Sequence, residues 1–178
     1  MRGLLTRGLI EPAHLLASDT LPDRLALLAA EYHIETTTDN KAAVRSADIV
    51  VLSVKPQVLP HVLPQLAGTV RADALVLSIV AGASIEQISV GLQHRPIVRV
   101  MPNTPAMVGE GMSVWTATPQ VSEAQKEQAR AILQALGEEV EVPDEHHVDM
   151  ATALNGSGPA YVFLFIEALI DAGLALLE

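Results

Sequence analysis

The sequence contains no cysteine, which excludes disulfides, thiolate nucleophiles and cysteine-ligated metals. Aromatic residues make up only 3% of its 178 residues, so the core must be built from Leu, Val, Ile and Ala. Basic charge is scarce: 11 Lys and Arg stand against 21 Asp and Glu, a formal net charge of −10. That balance argues against nucleic acid or an anionic membrane as a partner, while leaving room for one local basic spot that meets a phosphate. Residues 1–9 carry two Arg with no long apolar run behind them. They do not read as a signal peptide, and a cytoplasmic location is expected.

What is present points to a folded chain. The apolar fraction is 49% and the charged fraction 18%, with a mean hydropathy of +0.32. This suits one domain, or one domain and the start of a second. The most apolar stretch, residues 159–177, contains Glu167 and Asp171. An acid at the centre of a lipid-facing helix costs roughly 2.5–3.5 kcal/mol. Glu167, Asp171 and Glu178 fall on one helical face, so the stretch reads as an interface helix, covered by protein on most sides with one wet stripe, and no membrane is expected.

Short aliphatic runs alternate with amphipathic stretches along most of the chain. Residues 2–9 read as the end of a helix closed by Gly8 and Pro12, and 14–17 as a short strand. Helical spacing over 22–32 starts at Pro22, where proline suits a first turn. A weak strand over 34–37 leads to a short helix over 40–46 capped by Asp39 or Asn40. The run 49–54 has the continuous apolar character of a strand buried on both faces, and the helix after it, over 56–66, must be short or kinked because of Pro60 and Pro64. A strand over 74–80, a helix over 84–92 capped by Ser84, and strands over 97–101 and 111–117 follow. A helix over 122–136, capped by Ser122 and closed by Gly137, precedes a strand over 139–142. Beyond Pro143 the pattern is helix, a Gly-Ser-Gly break, then helix. Strand–helix alternation predicts an α/β fold with a mostly parallel sheet and right-handed crossovers. The change to helix alone places a boundary at 143–145.

In open α/β sheets ligands sit beyond the carboxyl ends of the strands. Lys55 follows one strand directly and could meet a phosphate or carboxylate there, or equally be an ordinary surface lysine. Ala81-Gly82-Ala83-Ser84 is small enough for a flat ligand to approach the backbone, and is also explained as a tight turn with a helix cap. Met101-Pro102-Asn103-Thr104-Pro105 is a stiff polar loop, either a ligand wall or a rigid connection. Asn155-Gly156-Ser157-Gly158-Pro159 either offers free N–H groups to an anion at a helix start, with Ser157 or Gly158 as the cap, or simply joins two helices. His146 and His147 are adjacent and point apart on a helix, so no metal is expected.

Four segments taken together carry a resemblance: Ala47-Asp48-Ile49-Val50-Val51-Leu52-Ser53-Val54-Lys55-Pro56-Gln57, Ser78-Ile79-Val80-Ala81-Gly82, Val100-Met101-Pro102-Asn103-Thr104-Pro105 and Gly156-Ser157-Gly158-Pro159-Ala160-Tyr161. In this order and spacing the chain resembles the pyrroline-5-carboxylate reductase family over nearly its whole length. The resemblance implies a Rossmann-like, mostly parallel sheet over residues 1–143 and the start of an all-helical dimerisation domain over 144–178. It implies NADP or NAD as cofactor, a cyclic imino acid as the small-molecule substrate, and a homo-oligomer formed through the helix at 159–177. The activity implied is reduction of 1-pyrroline-5-carboxylate to proline. Ser18 would lie near the adenosine ribose and Asn40 near the adenine. Ser53, Val54, Lys55 and Pro56 would line the cofactor, with Val80 and Ala81 on its nicotinamide side, and Asn103 and Ser157 would border the substrate pocket. No catalytic residue is assigned, because an iminium is already electrophilic and positioning would supply most of the effect.

The chain departs from the family pattern in three places. It would begin inside the helix that follows a glycine-rich turn, so the sheet would lack its first strand. It would stop within the first long helix of the dimer part, ahead of the family's carboxylate-gripping loop. Thr20 stands where many members carry an arginine that meets a 2′-phosphate. The expectation is therefore a chain truncated at both ends, with weak or absent cofactor binding and little activity. Two other readings stay open: a β-hydroxyacid dehydrogenase-like enzyme, which would need a lysine on the helical side although none follows Lys126, and a non-catalytic interaction module acting through 159–177.

Overall fold

The computed structural model describes residues 1–177; Glu178 and the side chain of Asn155 lie outside the described residues. The chain runs α1 (Arg2–Thr6), β1 (Leu16–Ser18), α2 (Pro22–Tyr32), β2 (Glu35–Thr37), α3 (Asn40–Arg45), β3 (Ile49–Leu52), α4 (Leu59–Leu66), β4 (Leu75–Ser78) and α5 (Ile85–Leu92). It continues as β5 (Ile97–Met101), β6 (Gly111–Ala117), α6 (Glu123–Gln134), β7 (Gly137–Glu141), α7 (Glu145–Ala151) and α8 (Gly158–Ala175).

Local chemistry accounts for most boundaries. Asp39 caps α3 by accepting from the N–H groups of Lys41 and Ala42, which decides between the two candidate caps. Ser84 Oγ accepts from Gln87 N–H at the start of α5. Ser122 and Gln125 close a reciprocal capping box on α6. Lys55 C=O accepts from Val58 and Leu59 N–H, so α4 begins at Leu59, later than expected. Pro60 sits in its first turn, where the missing N–H costs nothing.

The strands form two sheets. β1 and β2 pair in parallel on their own, and the second sheet has the order β3-β4-β5-β6-β7. In the larger sheet β3, β4 and β5 are parallel, β6 runs antiparallel to β5, and β7 is parallel to β6. β3 has one ladder partner, and no described strand pairs with its other edge. Residues 14–17 therefore do not pair with 49–54. α3 packs beside β1 instead, and Val51 stays half exposed.

Alternating side chains send the large sheet's apolar residues into two cores. Val50, Leu52, Val76 and Ile97 pack with Leu59, Leu63, Ile88 and Leu92 of α4 and α5. On the opposite face Leu75, Leu77, Val98, Val100 and Trp115 pack with Ala129 and Leu133 of α6. Full burial of each such side chain is worth about 1.5–3 kcal/mol, so the aliphatic composition suffices for a core.

The C-terminal third corrects three expectations. Gly137 does not close α6, which ends at Gln134 with Ala135 as its cap. Gly137 instead opens β7 at φ +139°, where a Cβ would fall 2.1 Å from Gly111 O. The Gly-Ser-Gly segment does not break the helix. Residues Thr152–Gly156 form a π-helical turn that leads through Ser157 into α8. α8 is not covered within the chain either: none of its residues is buried. The stretch Glu145–Ala175 is long and apolar enough to cross a membrane by length and composition, with Glu167 and Asp171 inside it.

Candidate functional site

Because β3, β4 and β5 are adjacent and parallel, with Leu52 opposite Ser78 and Ser78 opposite Arg99, the segments that follow them emerge side by side. Ile79 N–H donates to Leu52 C=O at 3.0 Å, extending the contact past the strands. Residues 53–56, 79–82 and 102–104 thus share one sheet edge. Ser53, Lys55 and Pro56 are exposed there, and Val54 is half-buried against the α4–α5 core. Val80 is buried in that core, so only its backbone can face a ligand. Its N–H donates to Ser78 Oγ at 3.3 Å.

Ala81 and Gly82 are exposed. Gly82 takes φ +71°, and a Cβ there would meet nothing within 4 Å. The turn is thus an open shelf of bare backbone on which a flat ring can lie. Asn103 Oδ1 accepts from Met112 N–H at 2.9 Å, pinning the loop after β5 to β6. The turn before α8 reaches the same place, because a Cβ on Gly156 would fall 2.6 Å from Met101 Cε at the end of β5. Asn103 and Ser157 therefore belong to segments anchored at one strand end.

The idea of free N–H groups at Ser157 does not survive. Ser157 N–H donates to Thr152 C=O at 3.2 Å, and its Oγ donates to the same oxygen at 3.2 Å. The helix passes through this point, so its amides are taken by the turn behind it. Ser157 does not act as a side-chain cap.

The smaller sheet carries the other candidates. Ser18 Oγ donates to Asn40 Oδ1 at 2.7 Å, so the carboxyl end of β1 is tied to the first residue of α3. Asp19, next along, accepts from Leu21 N–H at 3.0 Å and lies 3.6 Å from Arg24 Nε. A cation thus stands beside Asp19 although residue 20 is Thr. Sequence reasoning passed over Arg24, because helix α2 alone does not reveal that its first turn faces back onto this loop.

The residues present suit the two ends of a dinucleotide: a bare shelf at Ala81-Gly82 and a hydroxyl–amide pair at Ser18–Asn40. Lys55 is the cation nearest in sequence to the middle of that edge. No G-x-G-x-x-G turn occurs within the 178 residues, so a pyrophosphate finds no such cradle among them. An open groove of about 530 Å³ lined by Ile85, Glu86, Arg95, Thr118, Pro143 and Asp144 contains none of the candidate residues. His146 and His147 face each other edge-on at 6.4 Å, and His147 Nδ1 lies 3.1 Å from Asp144 Oδ1. Among the described residues no group of three His, Asp or Glu side chains is placed to hold a metal.

Comparison with known proteins joins these features to a lineage. Residues 1–82 match the family described as NADP oxidoreductase coenzyme F420-dependent. Residues 145–176 match the family described as pyrroline-5-carboxylate reductase dimerisation. Pyrroline-5-carboxylate reductase of Pseudomonas aeruginosa is 44% identical over 172 residues, covering 96% of this chain and 63% of that protein. The chain belongs to the pyrroline-5-carboxylate reductase family. The solved reductase of Coxiella burnetii superposes with a TM-score of 0.87 at 34% identity, covering 99% of this chain and 66% of that one. The Plasmodium falciparum enzyme, solved with NADP bound, gives a TM-score of 0.86 at 32% identity and covers 97% and 63%. The chain spans 63% of the length of the curated relatives from P. aeruginosa and Synechocystis. Both fold expectations, a Rossmann-like mostly parallel sheet and a following helix of the reductase dimerisation type, hold. That family match gives the exposed helix α8 a context that its composition alone did not.

Proposed function

We propose that this chain carries the cofactor-facing sheet and the first helices of a pyrroline-5-carboxylate reductase, which reduces 1-pyrroline-5-carboxylate to proline. The observation that carries this reading is the shared edge of β3, β4 and β5, where residues 53–56, 79–82 and 102–104 emerge together. Residues 1–143 would form the dinucleotide-facing part and 144–178 the start of the dimer part.

When bound, NADPH or NADH supplies the hydride that reduces the imine C=N carbon; the ring nitrogen takes a proton and the product is proline. The protein's share is placement. The Ala81-Gly82 shelf would support the nicotinamide face, Ser53 to Pro56 would run along the cofactor, and Ser18 with Asn40 would hold the adenosine end. Asn103 and the Ser157 turn would border the imine's ring. Holding two reactants in register accounts for much of such a rate enhancement without a strong acid from the protein. Arg24 and Asp19 stand as a pair at this end: the guanidinium suits a 2′-phosphate and the carboxylate a free 2′-hydroxyl, so NADP and NAD both stay in the reading. The substrate is a small imino acid, the setting cytoplasmic, and the apolar surface of α8 is covered by a second copy of the chain. The net charge of −10 gives no reason to invoke nucleic acid.

The test is amide NMR of the chain during titration with NADPH to several millimolar. Shifts confined to Ser18, Asn40, residues 53–56 and 80–82 support the reading. Shifts scattered over other surfaces, or none, sink it.

A further inference from the structure

β5 sends one charged side chain into the interior. Arg99 is only 3% exposed, in a strand whose Ile97, Val98 and Val100 are buried. Its Nη1 donates to Glu145 Oε1 at 2.5 Å, and its Nη2 donates to Asp149 Oδ1 at 2.5 Å. The two carboxylates stand four residues apart on one face of α7, which packs on β5 and β6. Glu145 Oε1 accepts a second bond, from the backbone N–H of Ile85 at 2.7 Å. Ile85 is the first residue of α5. One carboxylate oxygen therefore joins three elements distant in sequence.

Stability alone gives little reason for this arrangement. Burying a guanidinium is costly, and well-packed apolar residues of similar volume often serve stability as well or better. Arg99 Nε is moreover buried with no partner among the described residues. What the cluster does achieve is placement. From Arg99, β5 runs two residues to Met101 and on to Asn103. From Ile85 the chain leads back through Ser84 and Ala83 to the Gly82 and Ala81 shelf. From Asp149, α7 leads into the Thr152–Gly156 turn and Ser157, steadied by Thr152 Oγ1 donating to Val148 C=O at 2.8 Å. The ladder between β4 and β5 ends at Ser78 and Arg99; past it β5 pairs with β6 alone, as far as Met101 opposite Val114, so no strand ladder ties the Ala81-Gly82 shelf or the Thr152–Gly156 turn to β5.

We propose that Arg99 and Glu145 are positioning residues whose shared contact fixes the Ala81-Gly82 shelf against the Thr152–Ser157 turn. Under the reductase reading, on which this role rests, they set the distance between the cofactor side and the substrate side of the pocket. The pattern was available in the sequence as a lone Arg in an aliphatic strand and a Glu/Asp pair at helical spacing, but nothing local joins the two halves.

The experiment is hydrogen exchange on the whole chain without cofactor. E145A removes the shared acceptor. The Ile85 amide and the amides of residues 152–157 should then exchange at least about tenfold faster, while Val76 and Leu77 in β4 stay within about threefold, as expected of local opening. E145Q keeps an oxygen acceptor and should restore both segments to within about threefold. R99M, which leaves no unpaired buried cation, should speed exchange at residues 152–157 as E145A does, while the Ile85 amide, whose acceptor on Glu145 remains, changes less than in E145A. Unchanged exchange at either segment in E145A, unchanged exchange at residues 152–157 in R99M, equal effects of E145A and E145Q, loss spread evenly into β4, or global unfolding of both E145A and R99M would each overturn the proposal. A second arm adds NADPH. E145A should lose shifts at Ala81 and Gly82 and keep those at Ser18 and Asn40. A wild-type chain that shows no NADPH shifts anywhere fails the reductase reading alone and leaves the exchange result to stand by itself.

Discussion

Ser18 Oγ donates to Asn40 Oδ1 across 2.7 Å, so the last residue of β1 and the first residue of α3 hold each other at the mouth of the small sheet. The bond lies at the surface, where its net worth to stability is about 1 kcal/mol or less. Its place at the carboxyl end of a parallel pair gives it more bearing on what binds there.

Replacement of Asn40 by Ala removes the acceptor and frees the Ser18 hydroxyl. N40A should fold with a melting temperature within a few degrees of the parent. Its NADPH-dependent amide shifts should disappear at Ser18 and residues 37–40 while those at 53–56 persist. Thermal unfolding and the NMR titration check the two halves separately. Loss of shifts at all sites together would show that the pair does not act at one end of a ligand.

Gly137 is a position that no other residue can fill. Its φ of +139° is foreign to side-chain-bearing residues, and a Cβ would lie 2.1 Å from Gly111 O on the neighbouring strand. That oxygen belongs to the backbone of β6 and cannot swing aside. G137A should destabilise the fold by about 3 kcal/mol or more, combining backbone strain with overpacking. Chemical denaturation measures it. G173A, an exposed position of α8 with open space around its Cα, should be neutral or slightly stabilising, since alanine is the better helix former.

These two glycines show what a sequence carries openly. Helix starts were legible because caps act within three residues: Ser122 with Gln125, Ser84 with Gln87, Pro22 in a first turn. The central strands β4 and β5 were legible from aliphatic runs that need burial on both faces. Gly137 looked like a helix stop because glycine often is one; its real constraint comes from Gly111, which only pairing brings near. The Gly156-Ser157-Gly158 segment looked like a break for the same reason, whereas the helix passes through it as a π turn and Gly156 stands where Met101 leaves no room for a side chain. The motif segments at the strand ends were readable as a set. Arg99 was not, because its partners lie 46 and 50 residues away.

Asp73 should titrate visibly. Arg71 donates from Nε to Oδ1 at 3.1 Å and from Nη2 to Oδ2 at 2.7 Å, and these hydrogen bonds hold the Asp73 carboxyl below its ordinary value. With the folded value depressed, the carboxylate's contribution is fully present above the unfolded value of about 3.9 and is lost as pH falls through the folded value. Carbon-detected NMR should therefore give a midpoint for Asp73 below about 3.9. R71A should raise it toward that value, with the backbone N–H of Asp73 still holding it somewhat down. The side chain is exposed, so the effect on overall stability will be small. An unchanged midpoint in R71A would remove Arg71 as the cause.

The surface of α8 calls for a partner. Phe165 and Leu169 are 66% and 58% exposed and stand four residues apart, on the side of the helix away from Glu167 and Asp171. Each is worth about 1.5–3 kcal/mol when fully covered, so removing both from a self-association surface should weaken it by at least about a hundredfold. F165E/L169E should therefore elute as a smaller species in size-exclusion chromatography with light scattering, at concentrations where the parent chain is associated. E167K changes charge on the acidic stripe without touching that apolar side, and should leave the parent's assembly intact. If the double variant and the parent have the same mass, the contact lies elsewhere on the chain. If E167K alone dissociates it, the acidic stripe belongs to the interface, and the wet side of the helix has been placed on the wrong face.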